Sequence, residues 1–381
     1  MLKMLMNTYQ KPDITFVKGE GCYVYTDNNE KYLDFTSGIG VNSLGYNNPQ
    51  IAQALLSGAN LMHLSNLYDT QKDRILADAL VDKTGLKSVF FANSGAEANE
   101  GAIKLARKYS FDKYGEGRFE IITLKNSFHG RTITTLRATG QDRFHKYFMP
   151  FTDGFIYAEA NNINDVKEKI SSQTCAIMIE LVQGEGGVLP LELEFVQELA
   201  KICTEQDILL IADEVQTGVG RCGAFCAFLK YDIAPDIVTL AKGLGGGIPI
   251  GAIISGEKCK LTFGPSDHAS TFGGNPLSCS VANVVVSSMN NEFLNNVQEN
   301  GNYLLHKLQQ IKSSHIKEVR GVGLMIGIEL DGLINIDIKN KCMEQNLLVL
   351  TAGNNTIRLL PPLIVSKTEI DICVKILEGA L

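Results

Sequence analysis

ILLIADEVQTG at residues 208–218 and DIVTLAKGLGGGIP at residues 236–249 decide the fold of this chain. Each opens with a short continuous run of apolar, mostly branched residues. That is the pattern of a strand covered on both faces, as in a parallel sheet held between layers of helix. The first run ends in Asp213 and the second delivers Lys242. Open α/β sheets bind ligands at the C-terminal ends of their strands, so both residues are candidate site residues.

Working outward, similar runs occur at 88–93, 120–125, 155–158, 175–180 and 252–255. Apolar residues recur at helical spacing over 95–109 and 191–206, which predicts crossover helices and an α/β class. Upstream, 21–27 and 30–35 read as two strands joined at Asn28-Asn29, a hairpin signal. Downstream of residue 285 the pattern becomes α+β. A polar helix is expected over 291–313, strands near 323–330, 347–350 and 356–360, and a closing helix from Lys367. No low-complexity linker intervenes. The expected organisation is a large domain over 49–284 and a smaller one built from 1–48 and 285–381.

The 381 residues carry 35 basic and 42 acidic side chains, a formal charge of −7, and 45% hydrophobic content. That balance gives no footprint for nucleic acid. No apolar stretch reaches the roughly 20 residues of a membrane span. The apolar start of MLKMLMNTYQKPD is shorter than a signal-peptide core, so a cytoplasmic location is expected. The nine cysteines are odd in number, scattered and set mainly in apolar runs, and read as reduced core residues. Cys222 and Cys226 lack a second Cys or His pair nearby, so no metal site is expected.

The chemistry concentrates at the strand ends. A buried Asp213 needs a cationic or proton-donating partner, and a pyridinium nitrogen would serve. Lys242, beside a glycine-rich loop, can be desolvated, which lowers its pKa and makes the amine nucleophilic. SGAEANE (94–100) opens a helix with small residues after a strand, leaving free N–H groups that suit a phosphate. FHGR (128–131) offers the Phe128 ring for stacking on a planar group and the Arg131 guanidinium for a carboxylate. Arg358, between Ile357 and Leu359, requires an acid if buried, and Glu185 in QGEGG (183–187) is the candidate.

SGAEANE, FHGR, QGEGG, DEVQTGVGR (213–221), LAKGLGGGIPIGA (240–252) and STFGGNP (270–276), in this order, resemble the class III aminotransferases over nearly the whole chain. The opening NTY (7–9), YLDF (32–35) and SGIGVNSLG (37–45) resemble the acetylornithine branch of that family. The resemblance implies a fold type I architecture with a mixed, mostly parallel seven-stranded sheet, and pyridoxal 5'-phosphate (PLP) as cofactor. It implies that Lys242 holds the cofactor through a Schiff base and shuttles the proton, and that Asp213 keeps the ring nitrogen protonated. Gly95 and Ala96 would bind the phosphate, with Phe128 on the ring and Gln216 on the phenolic oxygen. Glu214 and Val215 would complete that shell, and Thr271 would reach it from the neighbouring subunit of a homodimer.

For substrate, the resemblance assigns Arg131, with Ser270 beside it, to a carboxylate distant from the reacting amine. Glu185 would mask Arg358 during one half-reaction and release it to the α-carboxylate of 2-oxoglutarate in the other. Tyr9 would line the substrate end. Ile39 stands where ornithine aminotransferases tend to place a tyrosine, which favours an acylated donor. The implied reaction takes the δ-amino group from N-acetyl-L-ornithine and gives it to 2-oxoglutarate, a step of arginine biosynthesis. Ornithine, succinylated donors and 4-aminobutyrate remain alternatives within the family. Leu181, where relatives have Pro, and Tyr46, where His is frequent, depart from the pattern.

Two other readings are weaker. Gly218-Val-Gly-Arg-Cys-Gly223 formally matches the dinucleotide fingerprint of an oxidoreductase, but it neither follows its strand directly nor opens a crossover helix. A non-catalytic scaffold has no need for Lys242, Asp213 and Arg131 together. His63, His145, His268, His306 and His315 are dispersed and read as surface or loop residues, and His129 as a residue that shapes its loop.

Overall fold

The structure, a computed structural model, describes residues 4–353 and 355–381. Its centre is a seven-stranded sheet in the order Ser88–Ala92, Gly251–Ser255, Ile237–Leu240, Leu209–Asp213, Thr174–Ile179, Glu120–Leu124, Phe155–Ala158. The five strands from Ile237–Leu240 to Phe155–Ala158 pair in parallel, and Gly251–Ser255 runs antiparallel to both of its neighbours. All seven expected strands are present, with ends differing by a residue or so. The reason they are legible is burial: Thr174–Ile179, Leu209–Asp213, Ile237–Leu240 and Gly251–Ser255 are buried at every position.

Helix Gly95–Tyr114 packs across this sheet. Ser94 caps it by accepting a hydrogen bond from the Glu97 N–H, and Ala98, Ala102, Leu105 and Ala106 form its buried stripe. Gly101 permits the close approach: a Cβ there would stand 2.1 Å from Ile253 Cδ1 on the sheet. Helix Leu193–Glu205 covers the chain between Thr174–Ile179 and Leu209–Asp213, burying Phe195, Val196, Leu199, Ile202 and Cys203.

The chain ends meet. Strands Phe16–Glu20, Tyr23–Thr26 and Lys31–Asp34 form an antiparallel meander, and Leu347–Leu348 adds to Lys31–Asp34 in parallel. A second sheet follows in the order Ile316–Val322, Met325–Leu330, Thr356–Leu359, Leu350–Ala352. The segment expected as one strand at 347–350 is therefore two, divided at Val349, each half serving a different sheet. Phe16–Glu20 and Ile316–Val322 were not expected. Both are sheet edges with several exposed polar positions, and they lack a continuous apolar run.

Between the large sheet and these ends lies Arg221, fully buried and without an acid. Its Nη1 donates to Leu324 O (2.8 Å) and Pro361 O (2.7 Å), and burial lowers its pKa to about 10. This is what the formal dinucleotide fingerprint does here: it ties a turn of the large sheet to both later segments. All nine cysteines are buried and unpaired. No helix of the described residues is long and apolar enough to cross a membrane.

Candidate active site

Asp213 ends its strand in register with Thr239 on the adjacent parallel strand, and Lys242 follows three residues beyond Thr239. Both line a cavity of about 420 Å³ at the C-terminal edge of the sheet. Asp213 is 3% exposed, and its carboxylate is fixed from several sides. Oδ2 accepts from Asn99 Nδ2 and is bonded to His129 Nδ1, both at 2.8 Å, while Oδ1 accepts from the Val215 N–H at 3.0 Å. Asn99 is held in turn by Thr239 Oγ1 (2.7 Å). The sequence reading missed Asn99 and Thr239 and gave His129 only a loop-shaping role; the imidazole instead lies directly against the carboxylate.

Glu180, also missed, is the second acid of this floor. Its Oε1 accepts from the Phe128 N–H at 2.8 Å and Oε2 from the Gly184 N–H at 3.3 Å. Burial pushes its pKa up to about 7, with the His129 ring opposing and Asp213 adding to the rise. Lys242 is displaced the other way. Burial and the Arg358 guanidinium lower its pKa, against the pull of Glu185, Asp213 and Glu180. Its backbone is strained, with φ at 42°, a left-handed conformation for a non-glycine residue.

Along the cavity wall, Gly95 and Ala96 are the first residues of helix Gly95–Tyr114. Gly95 cannot be larger, since a Cβ would stand 2.6 Å from Val215 Cγ1. Phe128 and Val215 present apolar surface to the same cavity. Arg131, exposed at the wall, lays its guanidinium 4.2 Å from the Phe144 ring centroid and 5.4 Å from that of Phe128. Phe144 had no place in the sequence reading.

Arg358 is 2% exposed and pairs with Glu185 Oε1 at 2.7 Å through Nη1, which also donates to Gln216 Oε1 at 2.9 Å. Gln216 lines the cavity, so the pair stands at its edge. Burial raises the Glu185 pKa, but Arg358, helped by Lys242 and Arg143, outweighs it and holds the carboxyl below its ordinary value. Arg358 Nε is buried with no partner among the described residues, a donor free for another acceptor.

Four expected site residues lie elsewhere. Tyr9 is 73% exposed and outside the cavity. Ser270 Oγ accepts from Asn93 Nδ2 (3.1 Å), just before the capped helix, and Thr271 is exposed; neither lines the cavity of this chain. Glu214 is buried away from it, accepting from the Phe228 N–H at 2.7 Å and from Thr217 Oγ1. Its carboxylate is engaged by the turn that follows the strand. The two departures are both accommodated. Tyr46 donates to Asp34 Oδ2 at 2.7 Å, and Leu181 is fully buried, its carbonyl accepting from Leu191 N and Tyr231 Oη.

Fold and site together define an enzyme that holds an anionic planar cofactor against a lysine and binds carboxylate substrates. The family model for aminotransferase class-III matches residues 5–381, and the chain belongs to that family. It is 50% identical to an acetylornithine aminotransferase of Haemophilus ducreyi over 99% of this chain and 96% of that protein. Among solved structures it resembles an ornithine aminotransferase of Toxoplasma gondii (TM-score 0.94, 28% identity, 99% of this chain and 92% of the other). It also resembles an N-acetylornithine aminotransferase of Stenotrophomonas maltophilia (TM-score 0.85, 33% identity, 97% and 96%).

Enzymes of this family depend on PLP, and the residues present fit it. The Gly95 cradle and the helix N-terminus suit its phosphate. Asp213 suits a protonated ring nitrogen, and Lys242 has an amine whose pKa is already depressed. The apolar walls at Phe128 and Val215 suit a planar ring.

Proposed function

We propose that this chain transfers the δ-amino group of N-acetyl-L-ornithine to 2-oxoglutarate, giving N-acetyl-L-glutamate 5-semialdehyde and L-glutamate in alternate half-reactions at one site. The observation that carries this reading is the buried Arg358 with Glu185 at 2.7 Å and an unpartnered Nε, at the edge of the cavity that exposed Arg131 lines. A racemase or decarboxylase needs no second carboxylate site that opens and closes. The relatives named for acetylornithine and the absence of an aromatic residue at Ile39 support the acylated donor.

When bound, PLP supplies an electron sink for the carbon that loses its proton. Lys242 Nζ is the group that would hold the cofactor and then, as a free amine of lowered pKa, take and return that proton. Asp213, fixed by Asn99, His129 and the Val215 N–H, would hold a proton on the ring nitrogen of the bound cofactor. Arg131 binds the carboxylate far from the reacting amine of the donor. Glu185 covers Arg358 while the donor is present. Rotation of its side chain exposes a guanidinium that can take the α-carboxylate of 2-oxoglutarate in bidentate fashion.

In the same reading, residues 49–284 form the cofactor-binding domain, and 1–48 with 285–381 form the smaller one that carries Arg358. We infer a cytoplasmic homodimer acting in arginine biosynthesis. Leu61, Met62, Leu67, Tyr68 and Phe272 are exposed, His63 packs on Phe272 at 5.3 Å, and Asn66 donates to Ser270 O, so an apolar surface adjoins Thr271. A partner seated there would bring Thr271 to the phosphate of the opposite site.

The test is the absorption spectrum of the PLP-loaded protein mixed separately with N-acetyl-L-ornithine, ornithine and 4-aminobutyrate. Rapid conversion to the amine form of the cofactor by the acetylated donor alone is expected. Faster conversion by either other amine would overturn the donor assignment and leave the family intact.

A further inference from the structure

The loop that carries Glu185 is clasped by groups with no part in the chemistry. It connects strands Val182–Gln183 and Leu189–Pro190. A Cβ on Gly186 would stand 2.6 Å from Asn126 O, and one on Gly353 would stand 2.5 Å from Gly186 O. Val188, β-branched and fully buried, sits at φ 54°, a conformation that persists only where the surroundings impose it.

Arg320, on strand Ile316–Val322, imposes it. Nε donates to Val188 O at 3.0 Å and Nη2 to Gly187 O at 2.8 Å. Nη1 is anchored on Glu318 Oε2 (2.6 Å) and Glu329 Oε2 (2.5 Å), and the side chain is 11% exposed. A further bond runs from the Gly353 N–H to Glu185 O at 2.9 Å. The carbonyls of residues 185, 187 and 188 are thus bound by the sheet whose strand Thr356–Leu359 carries Arg358. Acid and guanidinium are both tied to that sheet, while Gln183 Nε2, donating to Lys125 O at 2.8 Å, ties the start of the loop to the large sheet.

We propose that Arg320 is a positioning residue for discrimination between the two substrates. It fixes the backbone that presents Glu185 to Arg358, so that the mask is held closed between half-reactions and opens by side-chain rotation alone. This rests on the reading of Glu185 and Arg358 as an exchangeable carboxylate site. Without Arg320 the loop gains alternative positions, Glu185 covers Arg358 for less of the time, and a dicarboxylate gains access.

The test uses PLP-loaded protein and glutarate, the 2-oxoglutarate skeleton without its keto group, titrated by calorimetry. Arg320→Gln is expected to bind glutarate about fivefold more tightly than the parent, and Glu185→Gln at least as tightly as Arg320→Gln. The double variant should bind no more tightly than Glu185→Gln alone, because both changes remove one mask. Arg320→Lys, which keeps the charge and one donor direction, should lie between parent and Arg320→Gln, and it carries the same test if Arg320→Gln does not fold. With N-acetyl-L-ornithine, kcat and KM of Arg320→Gln should fall together, as the donor also docks its carboxylate on Arg358 unproductively. Tightening by Glu185→Gln but not by either Arg320 variant, or additive effects, overturns the role of Arg320. If Glu185→Gln leaves glutarate affinity unchanged, the exchange reading itself fails and takes this inference with it.

Discussion

The floor of the cavity and its edge solve the same problem, a buried charge, in opposite ways. At the floor, Asp213 is held by Asn99 on helix Gly95–Tyr114, by His129 in the loop after strand Glu120–Leu124, and by the Val215 N–H in the turn after its own strand. Every partner is permanent. At the edge, Arg358 has one acid on a strained loop, one amide and one unpartnered donor. Under the proposed mechanism, the charge that stays fixed through turnover is the one surrounded by several donors, and the one that exchanges ligands is the one with a single acid partner.

The largest effect tests the floor. Lys242→Ala should lower the rate of either half-reaction on the order of 10⁴-fold, since it removes both the attachment point and the proton carrier. Added methylamine should restore part of it, read in single-turnover absorption. Next, Asp213→Asn should cost about 10²–10³-fold in both half-reactions alike, because the floor serves both substrates. A loss confined to one half-reaction would break the comparison.

Changes at the edge should divide the half-reactions instead. Arg358→Gln should raise KM for 2-oxoglutarate about 10- to 100-fold, the worth of a charge-assisted pair, and leave the donor half-reaction within about threefold. Steady-state kinetics with each substrate varied separately checks this. The smallest effect is on stability. Glu180 has its folded pKa raised from 4.5 to about 7, so its contribution is full at acid pH and is lost as pH rises through about 7. Glu180→Gln should therefore flatten the fall in unfolding free energy between about pH 5 and pH 8, by an amount on the order of 3 kcal/mol, read by denaturant unfolding at each pH.

The same contrast explains what the sequence made legible. Strands such as 175–180 and 208–213 stand out because covering on both faces leaves only apolar residues, and the motifs at their ends locate Asp213, Lys242, Phe128 and Arg131. The pairing of Glu185 with Arg358 followed from a simple need, an acid for a buried guanidinium. The second layer was not readable. Asn99 and His129 lie 114 and 84 residues from Asp213, and nothing local to either announces the contact. Glu180 looks like any strand-end acid until its burial is seen. Arg320 sits in IKEVRGV, whose mixed polarity hid the strand itself. Tyr9, Ser270 and Thr271, expected at the site, lie outside the cavity of a single chain.

The proposed attachment of PLP to Lys242 is open to borohydride reduction of the loaded protein followed by peptide mapping. One pyridoxyl-modified peptide, containing Lys242, is expected, and none from Lys242→Ala. Label on a different lysine, or spread over surface lysines with Lys242 unmodified, would contradict it.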